Sequence, residues 1–324
     1  MRKRILQIGL GGWGKNHLRV WNELRQEVFV ADVVEKSLQE CQIYNIPASR
    51  TGTDFRAFLD KVDAVDIVTP TDTHFPVAKA CLEAGKDLHI EKPLTLNTRE
   101  GEALVKLARE QKRLVQAGHI FRYNPASLFI RDAIRKGDLG QVRVLFGRYA
   151  GFKRPRTDVG VLQTDAIHYL DLFSFFLDKR PLRVQAVARD FLGRGLEDTA
   201  LVNLDYGSAI AHVEAGYFPP QTQRDVTVVG DQKAVAADIV AQKVHVHSQR
   251  HVNREGRWTA EGGAVWSPEI RQVEPLKTEL ESFLKCVETR ESPVADGQVG
   301  LEALKVVEAA YESARLKREV EIRW

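Results

Sequence analysis

Short apolar runs alternate with amphipathic stretches over the first third of the chain. Arg4–Ile8, residues 28–34, 64–68, Asp87–Ile90 and 114–117 are compact and rich in Val, Ile and Leu. Between them, residues 15–25, 37–44, 54–61, 76–84 and 98–111 carry apolar positions at helical spacing. Short buried-type strands alternating with helices predict a parallel sheet with helices on both faces. After Gly118 the pattern changes. A helix at 126–136, closed by Gly137, leads into period-2 stretches at 142–152, 182–191, 199–206, 209–218, 224–230, 234–240 and 243–248. Alternation of this kind, as in Val142-Arg143-Val144-Leu145-Phe146, predicts a largely antiparallel sheet with one face covered. Helices at 274–290 and 300–317 close the chain. Two domains are expected, 1–120 and 121–324, with residues 119–125 as the passage between them.

The first strand is followed by Gly9-Leu10-Gly11-Gly12-Trp13-Gly14 and then by a helix. G-x-G-x-x-G between a strand and a helix points to dinucleotide binding in a Rossmann, doubly wound sheet. Gly9 would make the tight turn, Gly11 would let a pyrophosphate approach the backbone, and Gly14 would let the helix pack on the strand. Gly12 and Trp13 belong to the same loop. The helix N-terminus offers amide donors to phosphates. Asp32 lies 23 residues after Gly9, at the end of the second strand. A carboxylate there accepts from the adenosine ribose hydroxyls and repels a 2′-phosphate, which favours NAD over NADP. Lys36 and Arg50 are the nearby cations that would soften that preference.

The strand Asp87–Ile90 stops at Glu91-Lys92-Pro93, because Pro93 steers Lys92 away from helical dihedrals. Ligands of open parallel sheets bind beyond the carboxyl ends of the strands. Lys92 would stand at such an end, poised to work on a hydroxyl or carbonyl. Thr69, Pro70 and His74 follow another strand end, where a cap or surface role is the plain alternative for His74.

Composition narrows the class. The chain has 324 residues, 44% of them hydrophobic, and a net charge of +3 with acids and bases interspersed. That charge is too mild to argue for nucleic acid. No apolar run is long enough to span a bilayer, and the run behind the basic N-terminus is too short for a signal segment. Cys41, Cys81 and Cys286 have no metal-like spacing, so no metal is expected. Scattered thiols suit a cytoplasmic protein.

In Thr164-Asp165-Ala166-Ile167-His168, helical spacing puts Asp165 and His168 on one stripe, with Thr164 four before the His. A carboxylate one turn before an imidazole can orient it and raise its basicity. A capping Thr164 or Asp165 beside a half-buried His is the plainer alternative.

The ordered set Gly9-Leu10-Gly11-Gly12-Trp13-Gly14, Asp32, Thr69-Pro70-Thr71-Asp72-Thr73-His74, Ala84-Gly85-Lys86 and Glu91-Lys92-Pro93 resembles the glucose–fructose oxidoreductase/inositol dehydrogenase (Gfo/Idh/MocA) family, over essentially the whole chain. The resemblance implies NAD(P)-dependent oxidation or reduction of a polyol, sugar or sugar nucleotide. It implies a catalytic Lys92, with Thr69, Pro70, His74 and Glu91 on the cofactor side. It also implies a catalytic His168. The family's usual Asp four residues before that His is Thr164 here, and Asp165 lies at three before. The open sheet face would be an oligomer surface, giving a homodimer or homotetramer. Residues 118–126, 274–280 and 294–297 resemble the branch that oxidises the 3-hydroxyl of UDP-N-acetylhexosamines or their uronic acids. On that reading Arg122, Tyr123 and Asn124 would contact substrate, with domain-junction packing as the alternative. An inositol or free-sugar dehydrogenase is the second enzyme reading, and a non-catalytic sugar or NAD sensor the third.

Overall fold

The computed structural model describes residues 2–324 and resolves into two compact units. One holds the residues up to Ile120 together with Glu274–Leu304, and the other holds Phe121–Val273 with Lys305–Trp324. The stretch from Glu274 returns to the first unit because helix Pro275–Thr289 buries Leu276, Leu280 and Phe283 in one cluster with Ile5, Leu18 and Trp21.

The first unit is built on a six-stranded sheet. Its strands are β1 (Arg4–Ile8), β2 (Glu27–Ala31), β3 (Thr51–Gly52), β4 (Ala64–Ile67), β5 (Asp87–Ile90) and β6 (Val115–Ala117). They run in the order β3-β2-β1-β4-β5-β6, and every pairing is parallel. The order reverses between β1 and β4, which opens a crevice at their carboxyl ends. Successive residues face opposite layers. Leu6, Ile8, Val65, Ile67, Leu88 and Ile90 pack with helices α2 (Thr71–Glu83) and α3 (Thr98–Glu110), whereas Ile5, Val28, Val30 and Ala64 pack with α1 (Gly14–Glu23). The two stretches expected as helices at 37–44 and 54–61 are 3-10 turns, Glu35–Tyr44 and Phe55–Lys61. The second is capped by Asp54, whose side chain accepts from the Arg56 N–H.

The second unit opens with α4 (Pro125–Arg135), then β7 (Val142–Ala150), α5 (Ile167–Leu177), β8 (Arg183–Arg189), β9 (Thr199–Asp205), β10 (Ile210–Gly216) and β11 (Gln223–Gly230). β12 (Ala234–Asp238) and β13 (Lys243–His247) follow, with short edge strands Val265–Trp266 and Val320–Glu321 completing a nine-stranded sheet. Its pairings are antiparallel except β7 with β10. On β7, Leu145, Gly147 and Tyr149 share the face that meets α5. A Cβ on Gly147 would sit 2.6 Å from the Tyr169 ring, so glycine there lets the helix lie close. The outer face is partly apolar, with Phe146, Val187, Leu201 and Ile210 exposed. A hairpin, Arg250–Arg254 with Arg257–Glu261, was not legible from alternation, since nearly all its side chains are polar or exposed.

Candidate active site

In the first unit the glycine loop has the geometry its spacing requires. Gly9 sits at φ +100°, and a Cβ there would lie 2.5 Å from the Val68 carbonyl oxygen. A Cβ on Gly14 would lie 2.4 Å from the Gly9 carbonyl oxygen, so α1 can pack on β1 only with glycine. Gly11 and Gly12 face open space, where a ligand can reach the backbone. Asp32 stands at the loop, its Oδ2 accepting the Leu10 N–H at 2.6 Å and its Oδ1 the Val34 N–H at 2.8 Å. Arg50 is held by Glu27 at 2.8 Å, so that cation is engaged away from Asp32. These residues fit a dinucleotide with free ribose hydroxyls. Asp32→Ala is expected to weaken NAD binding and narrow the preference for NAD over NADP, read by titrating both cofactors; two unchanged affinities would refute the ribose assignment.

Lys92 is half-buried on the turn just beyond β5, and the Lys92–Pro93 peptide bond is cis. Glu91 accepts the Lys92 N–H on Oε2 at 3.1 Å and the Trp13 indole N–H on Oε1 at 2.9 Å. Trp13 thus joins the cofactor loop to the Lys92 turn. His74 is buried. Its Nε2 meets the Thr69 carbonyl and its Nδ1 the Pro93 carbonyl, both at 2.9 Å. The ring braces the turn after β4 against the turn after β5, and Thr69 receives a further bond from the Thr73 hydroxyl at 2.8 Å. Pro70 is exposed at the mouth of α2.

Beneath these turns lies a polar row that the motif search missed. Register aligns Gln7, Asp66, His89 and Gln116 across β1, β4, β5 and β6, all fully buried. Gln7 donates to the carbonyls of Gly9 and Gly14, at 2.9 and 2.7 Å. Asp66 takes Nδ1 of His17 and Nδ1 of His89, each at 2.9 Å, and the Trp21 indole N–H at 2.6 Å. His17 Nε2 lies 3.3 Å from Glu91, and His89 Nε2 lies 3.7 Å from Glu279. His17, Asp66 and His89 are the one group of metal-ligating types among the described residues. Their 2.9 Å separations are lengths of N–H···O hydrogen bonds.

Burial disfavours charge on both rings, but the carboxylates more than offset it. His17, between Asp66 and Glu91, is raised to about 9. His89, between Asp66 and Glu279, is raised to about 10. Burial likewise opposes the charged Glu91, yet His17 draws it down to about 2. Asp66 is lowered in the same way, its burial outweighed by the two imidazoles. Glu279, with burial dominant, is raised.

The raised imidazoles stabilise the fold fully below pH 6.5, and that contribution is lost as pH rises through 9 and 10. Asp66 and Glu91 act in the opposite sense, contributing above their ordinary carboxylate range and fading as pH falls toward 2. Glu279 follows the imidazole sense. Unfolding free energy from urea titration should therefore fall by on the order of a few kcal/mol between pH 6.5 and 10. His89→Gln should flatten that decline; an equally steep decline in the variant would remove His89 from the account.

In the second unit, a π-helical turn, Leu162–Ala166, precedes α5. Such turns rotate side chains out of ordinary helical phase and recur at functional sites. The expected cap is absent: neither Thr164 nor Asp165 closes the start of the helix. The Thr164 hydroxyl pairs with the Tyr217 hydroxyl at 2.8 Å, and Asp165 holds the Lys153 ammonium at 2.8 Å. The Asp165 carboxylate is thus engaged by Lys153. His168 instead stacks against two rings that also stack on each other, with 6.0 Å between their centroids. Tyr149 lies parallel to it at 5.0 Å between centroids, and Phe121 lies at 4.7 Å. Two cations border this stack: Arg224 lies over the Tyr149 ring at 3.5 Å, and Lys153 at 4.9 Å. Burial lowers the Lys153 pKa, which Asp165 only partly restores. Tyr149, Lys153 and Tyr217 carried no motif, and only the shared phase of Tyr149 with Leu145 and Gly147 on β7 could have hinted at Tyr149.

Arg122, Tyr123 and Asn124 lie at the start of the second unit. All three are buried. Arg122 forms a forked pair with Asp171, at 2.7 to 3.0 Å, and lies over Phe175. Asn124 caps α4 through the Ala126 N–H and donates to the Ile239 carbonyl. These partners of Arg122 and Asn124 lie within the second unit.

Two family models match the chain: the GFO_IDH_MocA oxidoreductase family, NAD-binding Rossmann fold, over residues 3–119, and its C-terminal alpha/beta domain over residues 131–322. The chain belongs to this family. It is an NAD-dependent oxidoreductase of the dehydrogenase type. It is 29% identical to the UDP-N-acetylglucosamine 3-dehydrogenase of Acidithiobacillus ferrooxidans, with 92% of each chain covered. It is 26% identical to an inositol 2-dehydrogenase of Rhizobium meliloti, over 99% of this chain and 100% of that one. Among solved structures, the Acidithiobacillus enzyme GnnA superposes with a TM-score of 0.86 at 25% identity, covering 98% of both chains.

Proposed function

We propose that the chain transfers hydride between a secondary alcohol of a sugar nucleotide and nicotinamide, with the 3-hydroxyl of a UDP-N-acetylhexosamine or its uronic acid as the preferred site. The observation that carries hydride chemistry is Lys92, placed just beyond β5 and tied to the cofactor loop through Glu91 and Trp13. The bound cofactor supplies the hydride acceptor. Lys92 and His168 are the two groups assigned to the substrate hydroxyl: one removes its proton, and the other stabilises charge on the oxygen. The likeness to the Acidithiobacillus enzyme supports the nucleotide. Lys153 and Arg224, bordering the His168 stack, supply cations suited to a diphosphate or carboxylate. The outer face of the nine-stranded sheet, with Phe146, Val187, Leu201 and Ile210 exposed, is proposed as the surface of a homodimer or homotetramer.

The test is NADH formation with NAD and two panels, UDP-N-acetylhexosamines with their uronic acids against inositols with free sugars, each run with a carbonyl trap. Turnover confined to the nucleotides is expected. Turnover confined to free polyols would transfer the enzyme to the inositol reading, which the Rhizobium relative represents.

A further inference from the structure

A charged group inside a parallel strand is expensive, because both faces of such a sheet are covered. Here Asp66 and His89 occupy neighbouring strands at matched register, and α1 adds His17 above them. Nothing about the fold demands this. A hydrophobic row of equal volume would pack the layer without desolvating charge. The row is placed one residue short of the strand ends, where Gly9 and the Lys92 turn begin. Gln7 leads to the glycine loop and Asp66, through His17, to Glu91 beside the Lys92 turn, while His89 and Gln116 lead to Glu279.

Glu91 is where the row reaches the surface. Its Oε1 receives the Trp13 indole N–H at 2.9 Å and faces His17 Nε2 at 3.3 Å; its Oε2 receives the Lys92 backbone N–H at 3.1 Å. One carboxylate therefore collects the glycine loop, α1 and the Lys92 turn. Space around it is tight, since a Cβ on Gly118 would come within 3.0 Å of both the Glu91 Cα and Oε1. Behind His17, Asp66 fixes the ring through Nδ1 and passes the connection to His89, which faces Glu279 on α6 (Pro275–Thr289).

We propose that His17 is a positioning residue for Lys92: backed by Asp66 and His89, it holds the Glu91 carboxylate in the one orientation that secures both the Trp13 indole and the Lys92 N–H, so that the cofactor loop and the Lys92 turn move as a unit. This rests on the reading of Lys92 as catalytic. The physical cause is charge compensation. Glu91 is 9% exposed, and a carboxylate so enclosed needs a buried counter-charge. His17 supplies it from α1, with its Nε2 3.3 Å from Glu91 Oε1. Removing that charge leaves Glu91 to rotate toward water or to take up a proton. Either way it releases Trp13, Lys92 or both.

The experiment compares His17→Gln, Glu91→Gln and the double variant in the full-length protein. Two readouts are used: kcat with the substrate identified in the panels, and the Trp13 indole N–H resonance in ¹⁵N spectra, assigned by Trp13→Phe. Glu91→Gln should lower kcat by about 100-fold, the scale of a misplaced reacting group. His17→Gln should lower kcat by a similar factor and shift the Trp13 resonance in the same direction. The double variant should be no worse than Glu91→Gln alone, because residues that act through one another are not additive. Effects that multiply, or a Trp13 resonance unmoved in His17→Gln, would overturn the proposal.

Should His17→Gln fail to fold, Glu91→Gln alone still decides. An unmoved Trp13 resonance with unchanged kcat would overturn it, and a shift in both would support it. Lys92→Ala run alongside separates the two claims. Full turnover in Lys92→Ala would remove the catalytic reading, whereas the Trp13 resonance and calorimetric NAD affinity would still report whether His17 acts through Glu91.

Discussion

Lys92→Ala is expected to lower kcat by about three orders of magnitude and to leave NAD affinity within a few-fold of the parent. The turn itself should survive the change. Its backbone is secured by groups other than the Lys92 side chain: Glu91 accepts the Lys92 N–H, and the Pro93 carbonyl is held by His74. What the substitution removes is the ammonium group alone. Single-turnover and steady-state rates of NADH formation provide the check, and full turnover in the variant would end the catalytic assignment. Lys92→Arg then separates the two roles open to the side chain. Guanidinium keeps the charge but does not release its proton in proteins. If Lys92 is the base, arginine should be nearly as inactive as alanine. If Lys92 instead polarises the developing alkoxide, arginine should recover part of the rate.

Much of the first unit was legible because each of its devices is local. A glycine turn, a strand-end acid and a strand cut off by proline all lie within a few residues, and the structure places Gly9, Gly14 and Asp32 in the geometry that their spacing implies. The polar row was hidden for the opposite reason. Gln7, Asp66, His89 and Gln116 lie on four strands, and only register brings them into line. A single sign was present: an Asp inside Ala64–Ile67 and a His inside Asp87–Ile90, in strands that should have been wholly apolar. In the second unit the period-2 pattern marked the strands well but said little about which helix would meet which face. Arg122, Tyr123 and Asn124 looked suited to a ligand because their side chains are versatile. The same versatility suits internal contacts, such as those of Arg122 with Asp171 and of Asn124 with the Ile239 carbonyl. The return of residues 274–304 to the first unit was not legible, since amphipathic spacing reveals an apolar stripe without naming its partner.

His168→Phe should lower kcat by about two to four orders of magnitude, the range for loss of a general acid or base. The change to the thermal midpoint should be small. Phenylalanine is chosen because the imidazole stacks against both Tyr149 and Phe121, so an aromatic ring preserves the packing while removing both nitrogens. Alanine would leave a cavity beside the two rings and confuse loss of chemistry with loss of structure. Asp165→Asn supplies the contrast. In the usual arrangement of the family the carboxylate serves the imidazole, and its loss should cost nearly as much as loss of the ring. In this chain Asp165 holds Lys153, so its removal should release an ammonium group beside Tyr149 and Tyr217 while leaving the His168 stack in place. The expected result is a change concentrated in KM for an anionic substrate, with kcat reduced far less than in His168→Phe. A fall in kcat equal to that of His168→Phe would show that Asp165 serves the imidazole after all. The shift of the acid from four to three residues before the His would then be a change of position without a change of role.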